Sequence, residues 1–85
     1  AMGSLRVLIA EDEPLDAELV VRELKKSGYD TEWRRVETAE EFRGRLAADP
    51  PDLIISDPAM PRFSSAAALE CLHESGLDVP FIVVS

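Results

Sequence analysis

Short apolar runs alternate along the chain with longer segments of helical periodicity. Residues 5–10, 53–57 and 80–85 are mostly apolar, whereas residues 31–36 alternate between polar and apolar side chains. The three apolar runs predict strands that are buried in a parallel sheet. The alternating segment predicts a half-exposed strand near the edge of that sheet.

The first predicted helix follows the first strand. It begins at Pro14, which suits the first helical turn, and it ends before Gly28, with Lys25 and Lys26 in its last turn. Its apolar side chains recur at helical spacing, at Leu15, Leu19, Val20, Val21 and Leu24.

Two further helices are predicted, one starting at Thr38 and one over residues 66–75. Thr38-Ala39-Glu40-Glu41 matches a capping box, in which Thr38 and Glu41 satisfy each other's backbone donors. Proline residues at 50 and 51 end the earlier helix, and Gly76 ends the later one. The side chains expected in the core are Phe42, Leu46, Leu69 and Leu72.

The resulting order is βαβαβαβ with short connections. This alternation predicts an α/β fold in which a parallel sheet is covered by helices on both faces. Ligands of such sheets bind beyond the carboxyl ends of the strands, so the residues at those ends are the candidates for function.

Composition narrows the possible partners. The chain has 85 residues, with 17 acidic side chains against 9 Lys and Arg, and a net charge of −8. This charge disfavours direct contact with nucleic acid or with anionic membranes. No apolar run could span a bilayer, no signal peptide is evident, and the single Cys71 suits a reducing compartment, so we expect a cytoplasmic protein. Residues 1–4 resemble an expression-tag remnant, and the expected domain covers residues 5–85.

Acidic side chains follow two of the buried strands. Glu11 and Asp12 follow the first strand, Asp57 ends the third, and Ser85 ends the fourth. If the first and third strands are neighbours, three carboxylates converge and repel one another unless a cation lies between them. Mg²⁺ fits such a site, and a carboxylate beside it can attack a phosphoryl group to form an aspartyl phosphate. The alternative is that these acids are solvated strand ends.

Three segments resemble the receiver domain of bacterial two-component response regulators. Residues 7–14 are similar to the first strand and acidic pair of that family. Residues 57–61 are similar to its phosphoacceptor signature, in which Met and Pro follow the Asp by three and four residues. Residues 81–85 resemble its fourth strand, which ends in a hydroxyl side chain. The resemblance covers the chain after the first four residues.

The resemblance implies a flavodoxin-like (CheY-like) doubly wound sheet of four strands, in the order 2-1-3-4, with three helices. It implies that Asp57 is the phosphoacceptor and that Glu11, Asp12, Asp57 and the backbone carbonyl of Ala59 hold Mg²⁺. The hydroxyl of Ser85 would contact the phosphoryl group and act as the switch. The donor would be a histidine kinase or phosphotransfer protein, and the domain would be a signalling phosphoacceptor rather than an enzyme.

The sequence departs from the family pattern in three places. Ser65 stands near the usual glycine of the third helix, and Pro58 directly follows the expected phosphoacceptor. The chain ends at Ser85, before the family's fourth helix, fifth strand and fifth helix, and no residue is assignable to the family's lysine. We therefore expect apolar side chains of the first, third and fourth strands to lie open, the fourth strand to be a bare edge, and the chain to form a homodimer or strand-exchanged oligomer.

Two other functions are compatible with these residues. A pseudo-receiver keeps the fold and binds partners without phosphate, which the lack of the lysine favours and the three acids oppose. A metal-dependent phosphatase with an aspartyl nucleophile usually has a second acid two residues later, where this chain has Ala59. Structural roles or solvent exposure, rather than function, are expected for the remaining candidates: Trp33 packs against a helix, Cys71 is buried, and His73, Arg34 and Arg35 are solvated.

Overall fold

The structure is a computed structural model that describes residues 4–84. Four strands and three helices alternate along these residues. They are β1 (Ser4–Ala10), α1 (Pro14–Lys26), β2 (Asp30–Val36), α2 (Ala39–Ala48), β3 (Leu53–Ser56), α3 (Ser65–Ser75) and β4 (Phe81–Val83). Every element lies within one or two residues of its predicted position, and β1 begins one residue earlier than expected, at Ser4.

The strands form one parallel sheet in the order β2-β1-β3-β4, which confirms the predicted fold class. Ile9 lies opposite Arg35 of β2 and Ile55 of β3, and Ser56 lies opposite Val83 of β4. The central position of β1 and β3 brings the ends of these two strands side by side. The residues that follow them, including Asp57, are therefore neighbours in space.

Each face of the sheet has its own apolar core. On one face α1 packs against β1 and β3, through Val7, Ile9, Ala17, Val21 and Ile55. On the other face α2 and α3 cover Leu8, Ala10 and Ile54, and the rings of Phe42 and Phe63 lie 5.3 Å apart there. The expectation that apolar side chains of β1 and β3 lie open is wrong, because α1 buries Val7, Ile9 and Ile55, whereas Ile82 and Val83 of β4 are exposed. Burying apolar area on both faces of the central strands stabilises the sheet.

Three leucines at helical spacing are exposed, and the expectation that one of them, Leu69, lies in the core is wrong. Leu15 and Leu19 of α1 are 67% and 54% exposed, and Leu69 of α3 is 38% exposed. Helix α1 instead turns Ala17 and Val21 towards the sheet, because the small Ala17 lets the helix approach the strands closely. The predictions for Phe42, Leu46, Leu72 and Cys71 are confirmed, since all four are buried.

Local capping fixes where the later helices begin. Thr38 Oγ1 accepts a hydrogen bond from the amide of Glu41, as the capping box predicts, at 3.2 Å. The return bond differs from the prediction: Glu41 Oε1 accepts from the amide of Glu37 rather than from that of Thr38. Gly76 ends α3 with a φ of 76°, a left-handed conformation that glycine adopts without strain.

None of the helices in residues 4–84 has the length and apolar character that a membrane span requires.

Candidate functional site

Backbone hydrogen bonds extend the sheet by one residue into the candidate site. The amide of Glu11 donates to the carbonyl oxygen of Val36 at 3.0 Å, and the amide of Asp57 donates to that of Ala10 at 2.9 Å. The backbone that carries both acids is therefore held by the sheet rather than by a free loop. Such anchoring positions side chains more accurately than a mobile loop does.

Three carboxylates meet where β1 and β3 end. One carboxylate oxygen from each of Glu11, Asp12 and Asp57 lies within 4.8 Å of the others. Glu11 is buried, Asp57 is half-buried and Asp12 is exposed, so the cluster opens to solvent on one side. The parallel sheet creates this cluster from two segments that are separated by 44 residues or more in the sequence.

The carboxyl of Glu11 has a raised pKa. Burial is the largest cause, and all the causes together bring this pKa from the ordinary value of 4.5 to about 7. Hydrogen bonding with Asp57 and Asp12 and the negative charge of Asp57 also act to raise the pKa, whereas the hydrogen bond from the amide of Glu13 acts to lower it. That amide donates to Glu11 Oε1 at 3.0 Å and fixes the orientation of the carboxyl.

Two kinds of contact hold the loop after β3. The amide of Ala59 donates to Asp57 Oδ1 at 2.9 Å, which orients this carboxylate oxygen and leaves Oδ2 without that hydrogen bond. Met60 and Phe63 are buried in the core below the loop. Ala59 itself is exposed, two residues beyond Asp57.

Sequence reasoning missed one residue of the site. Arg35 was expected to be solvated, but it is half-buried and its Nη1 donates to the main-chain oxygen of Glu11 at 3.2 Å. The same nitrogen lies 3.8 Å from Glu37 Oε1. The register of β1 against β2 brings Arg35 to the end of β1. The one feature of the sequence that could have predicted this is the position of Arg35 next to Val36, at the end of an alternating strand.

A small cavity adjoins the carboxylates. It has a volume of about 300 Å³ and is lined by Asp12, Glu37, Met60, Pro61 and Arg62. Asp12 therefore faces both the acidic cluster and this cavity. Ser85, the expected switch hydroxyl, lies outside the described residues. The amide of Val84 donates to the carbonyl oxygen of Ser56, so β4 runs alongside β3 up to that point.

The chemistry of the donor set fits a hard divalent cation. All three side chains offer carboxylate oxygen, which Mg²⁺ prefers over nitrogen or sulfur ligands. The raised pKa of Glu11 has the same implication, since a nearby cation would stabilise the ionised form. The exposed side of the cluster leaves room for water or a phosphoryl oxygen in the coordination sphere.

Comparison with known proteins decides the family. The family model described as the response regulator receiver domain matches residues 7–85. The chain belongs to the response regulator receiver domain family.

Individual receiver proteins agree with this assignment. The chain is 29% identical over 82 residues to the response regulator MprA of Mycobacterium bovis, covering 96% of this chain and 35% of that protein. It is 31% identical over 84 residues to MprA of Mycobacterium ulcerans, covering 96% and 34%. The chain thus spans about a third of the length of these curated relatives.

A solved receiver structure shares the fold. The crystal structure of the N-terminal domain of a response regulator receiver protein from Methanoculleus marisnigri JR1 superposes with a TM-score of 0.76. Its sequence is 25% identical, and the match covers 95% of this chain and 66% of that one. The family is one of signalling domains in two-component systems, so the candidate site lies in a domain of that class.

Proposed function

We propose that this receiver domain takes a phosphoryl group onto Asp57 from a histidine kinase or phosphotransfer protein, and so switches a protein–protein interface. The observation that carries the proposal is the convergence of Glu11, Asp12 and Asp57 within 4.8 Å at the carboxyl ends of adjacent strands. Asp57 is the natural nucleophile of the three, because it is half-buried and its Oδ1 is already held by the amide of Ala59.

The proposed reaction is a phosphoryl transfer from nitrogen to oxygen. A carboxylate oxygen of Asp57 attacks the phosphorus of a phosphohistidine, the new O–P bond forms, and the N–P bond breaks with its electron pair going to the imidazole. The product is an aspartyl phosphate. Positioning and charge neutralisation are the main contributions that a protein makes to such a transfer.

Glu11, Asp12, Asp57 and the backbone carbonyl of Ala59 are the proposed Mg²⁺ ligands. When bound, the ion would neutralise negative charge on the transferring phosphoryl oxygens. The roles of the chain's own residues are to hold their carboxylates together and to keep Glu11 oriented through the amide of Glu13.

We also propose that the Ser85 hydroxyl contacts the phosphoryl group, and that residues 5–85 form the receiver domain. A kinase partner of this kind, together with the buried free thiol of Cys71, suits the cytoplasm.

A pseudo-receiver remains the alternative, in which the same fold binds partners without phosphate. The intact cluster of three acids weighs against it, because a module without phosphate chemistry has no need to place a buried carboxyl beside two others.

Intact mass after incubation with Mg²⁺ and acetyl phosphate tests the proposal. The wild-type chain should gain one phosphoryl group, and Asp57→Asn should gain none. Asp78→Asn is the matched control, because Asp78 is exposed and lies in the connection before β4, so it should behave as wild type. Equal modification of Asp57→Asn and wild type would exclude Asp57, and no modification of either would favour the pseudo-receiver.

We also propose that the chain self-associates through β4. The side chains of Ile82, Val83 and Val84 are 46%, 49% and 37% exposed, and β4 is an edge strand of the described sheet. An exposed apolar edge strand presents both unpaired backbone groups and apolar surface to a second copy.

A further inference from the structure

Positive charge gathers along the outer edge of β2. Three adjoining grooves, of about 500, 580 and 520 Å³, lie along this edge, and Trp33 lines all of them. Seven of the chain's nine Lys and Arg residues line these grooves, against four of its 17 acids. The β2 edge is therefore a basic region on a molecule with a net charge of −8.

Four of these cations form no ion pair with another described residue. Within residues 4–84, Arg22, Lys25, Arg34 and Arg45 have no acidic side chain within 4.0 Å of their charged nitrogens. The other three cations, Arg6, Lys26 and Arg35, pair with Asp49, Glu23 and Glu37. Unpaired guanidinium groups are available for bidentate hydrogen bonds with external carboxylates.

The unpaired cations lie on both sides of the strand edge. Arg34 lies opposite Leu8 in the sheet and therefore on the face that α2 covers, where it shares two grooves with Arg45. Arg22 and Lys25 share the third groove with Trp33, on the face that α1 covers. A ligand along β2 would thus meet positive charge above and below the plane of the sheet.

The edge itself offers main-chain hydrogen bonds. Asp30–Val36 pairs with β1 on one side, and among the described residues no strand pairs with its other side. Extended polypeptides bind such edges by adding a strand, in which main-chain bonds give affinity and alternate side chains give specificity.

We propose that the β2 edge is a docking site for an extended acidic segment of a partner protein, which adds a strand beside Asp30–Val36. Carboxylates of the segment reach Arg34 and Arg45 on one face and Arg22 and Lys25 on the other, and Trp33 provides an aromatic contact at the centre. Nucleic acid fits this edge less well, because it has no peptide backbone with which to add a strand to the sheet. The site is separate from the carboxylate cluster, and the proposal does not depend on phosphorylation.

A labelled model peptide tests this docking site. The probe is a fluorescein-labelled peptide of about ten residues that repeats Glu-Glu-Val, so that an extended conformation places carboxylates on both faces, and it is titrated against the chain by fluorescence anisotropy. The emission of Trp33, the single tryptophan, gives a second readout at the edge itself. The same repeat with Lys in place of Glu should not bind, and raised salt should weaken binding of the acidic peptide. Equal binding of the Lys peptide would overturn the role of charge.

Backbone methylation and a nucleic acid probe separate strand addition from other modes. Methylating alternate amides of the acidic peptide removes donors that a β-strand needs, so its affinity should fall at least about ten-fold. Unchanged affinity would overturn strand addition. A labelled single-stranded oligothymidine should bind more weakly than the acidic peptide, and tighter binding would overturn the choice of partner.

Charge reversal locates the site. Arg34→Glu combined with Arg45→Glu should weaken the peptide at least about ten-fold. Arg62→Glu is the matched control for the single reversals Arg34→Glu and Arg45→Glu, because it changes charge by the same amount near the acidic cluster, at a cation with no ion pair among the described residues. The neutral variants Arg34→Gln and Arg45→Gln, each at an exposed position, give smaller losses and preserve the test if the double reversal does not fold. A loss with Arg62→Glu as large as with the edge variants would overturn the proposal.

Discussion

Arg35 Nη1 donates a hydrogen bond to the main-chain oxygen of Glu11 across 3.2 Å, and this bond joins the edge strand β2 to the loop that carries two of the three clustered acids. The guanidinium also lies 3.8 Å from Glu37 Oε1. The side chain of Arg35 is 29% exposed, so solvent screens these interactions only in part. We infer that Arg35 is a positioning residue, which holds Glu11 and Asp12 in the geometry that a cation needs.

Replacing Arg35 should therefore weaken Mg²⁺ binding without unfolding the domain. We expect Arg35→Met to raise the dissociation constant for Mg²⁺ about ten-fold, as is typical when a residue that orients metal ligands is lost. Arg35→Lys should restore part of the affinity. Isothermal titration calorimetry measures this, with Arg34→Met as the control, because Arg34 lies on the opposite face of β2. Equal losses in both arginine variants would mean that overall charge, rather than positioning, controls binding.

The raised pKa of Glu11 predicts an unusual dependence of stability on pH. In the folded chain this pKa is about 7, compared with an ordinary 4.5, so between these values the folded state binds more protons than the unfolded state. The contribution of Glu11 to the free energy of unfolding therefore falls as pH rises from about 4.5 to about 7, by at most about 3 kcal/mol. Above pH 7 it stays constant.

Glu11→Gln should remove this dependence. Without metal at pH 8 the variant should be more stable than wild type, and the two should converge towards pH 4.5. Urea unfolding in the presence of a chelator across this range measures the difference. Glu70→Gln on the exposed side of α3 should follow wild type throughout. If Glu11→Gln and wild type lost stability in parallel, Glu11 would not be the group responsible.

Truncating two leucines on different helices should lower the free energy of unfolding by very different amounts. Leu46 of α2 is 3% exposed, and Leu46→Ala should lower the free energy of unfolding by about 2–5 kcal/mol, because it leaves a cavity in the core. Leu19 of α1 is 54% exposed, and Leu19→Ala should change it by less than about 0.5 kcal/mol. Chemical denaturation compares them directly. A large cost for Leu19→Ala would indicate that this side chain is covered in solution, for example by self-association.

Self-association through β4 predicts a dependence on Ile82. Ile82→Lys places a charge on the exposed edge strand and should shift the chain towards monomer. Sedimentation equilibrium over a range of concentrations measures this shift. Leu69→Lys is the control, because Leu69 is similarly exposed but lies on α3. A wild-type chain that remains monomeric at every concentration would rule out the association.

Local sequence patterns were sufficient to predict the helices and strands, because each of these elements depends mainly on residues that are neighbours in the sequence. Pro14, Thr38 and Gly76 mark helix ends through their own backbone chemistry, and the predictions at these points agree with the structure. The face that a helix buries is not local in this sense. Leu15 and Leu19 have the spacing of core residues, yet α1 turns Ala17 to the sheet.

The sequence by itself determined the order of strands and helices, the acids at the strand ends and the resemblance to receiver domains. Only the tertiary structure decided that Glu11, Asp12 and Asp57 lie within 4.8 Å, that Arg35 reaches Glu11, and that cations gather along β2. The physical reason is register: parallel pairing of β1 with both β2 and β3 aligns residues that are far apart in the chain, and side-chain chemistry depends on that alignment.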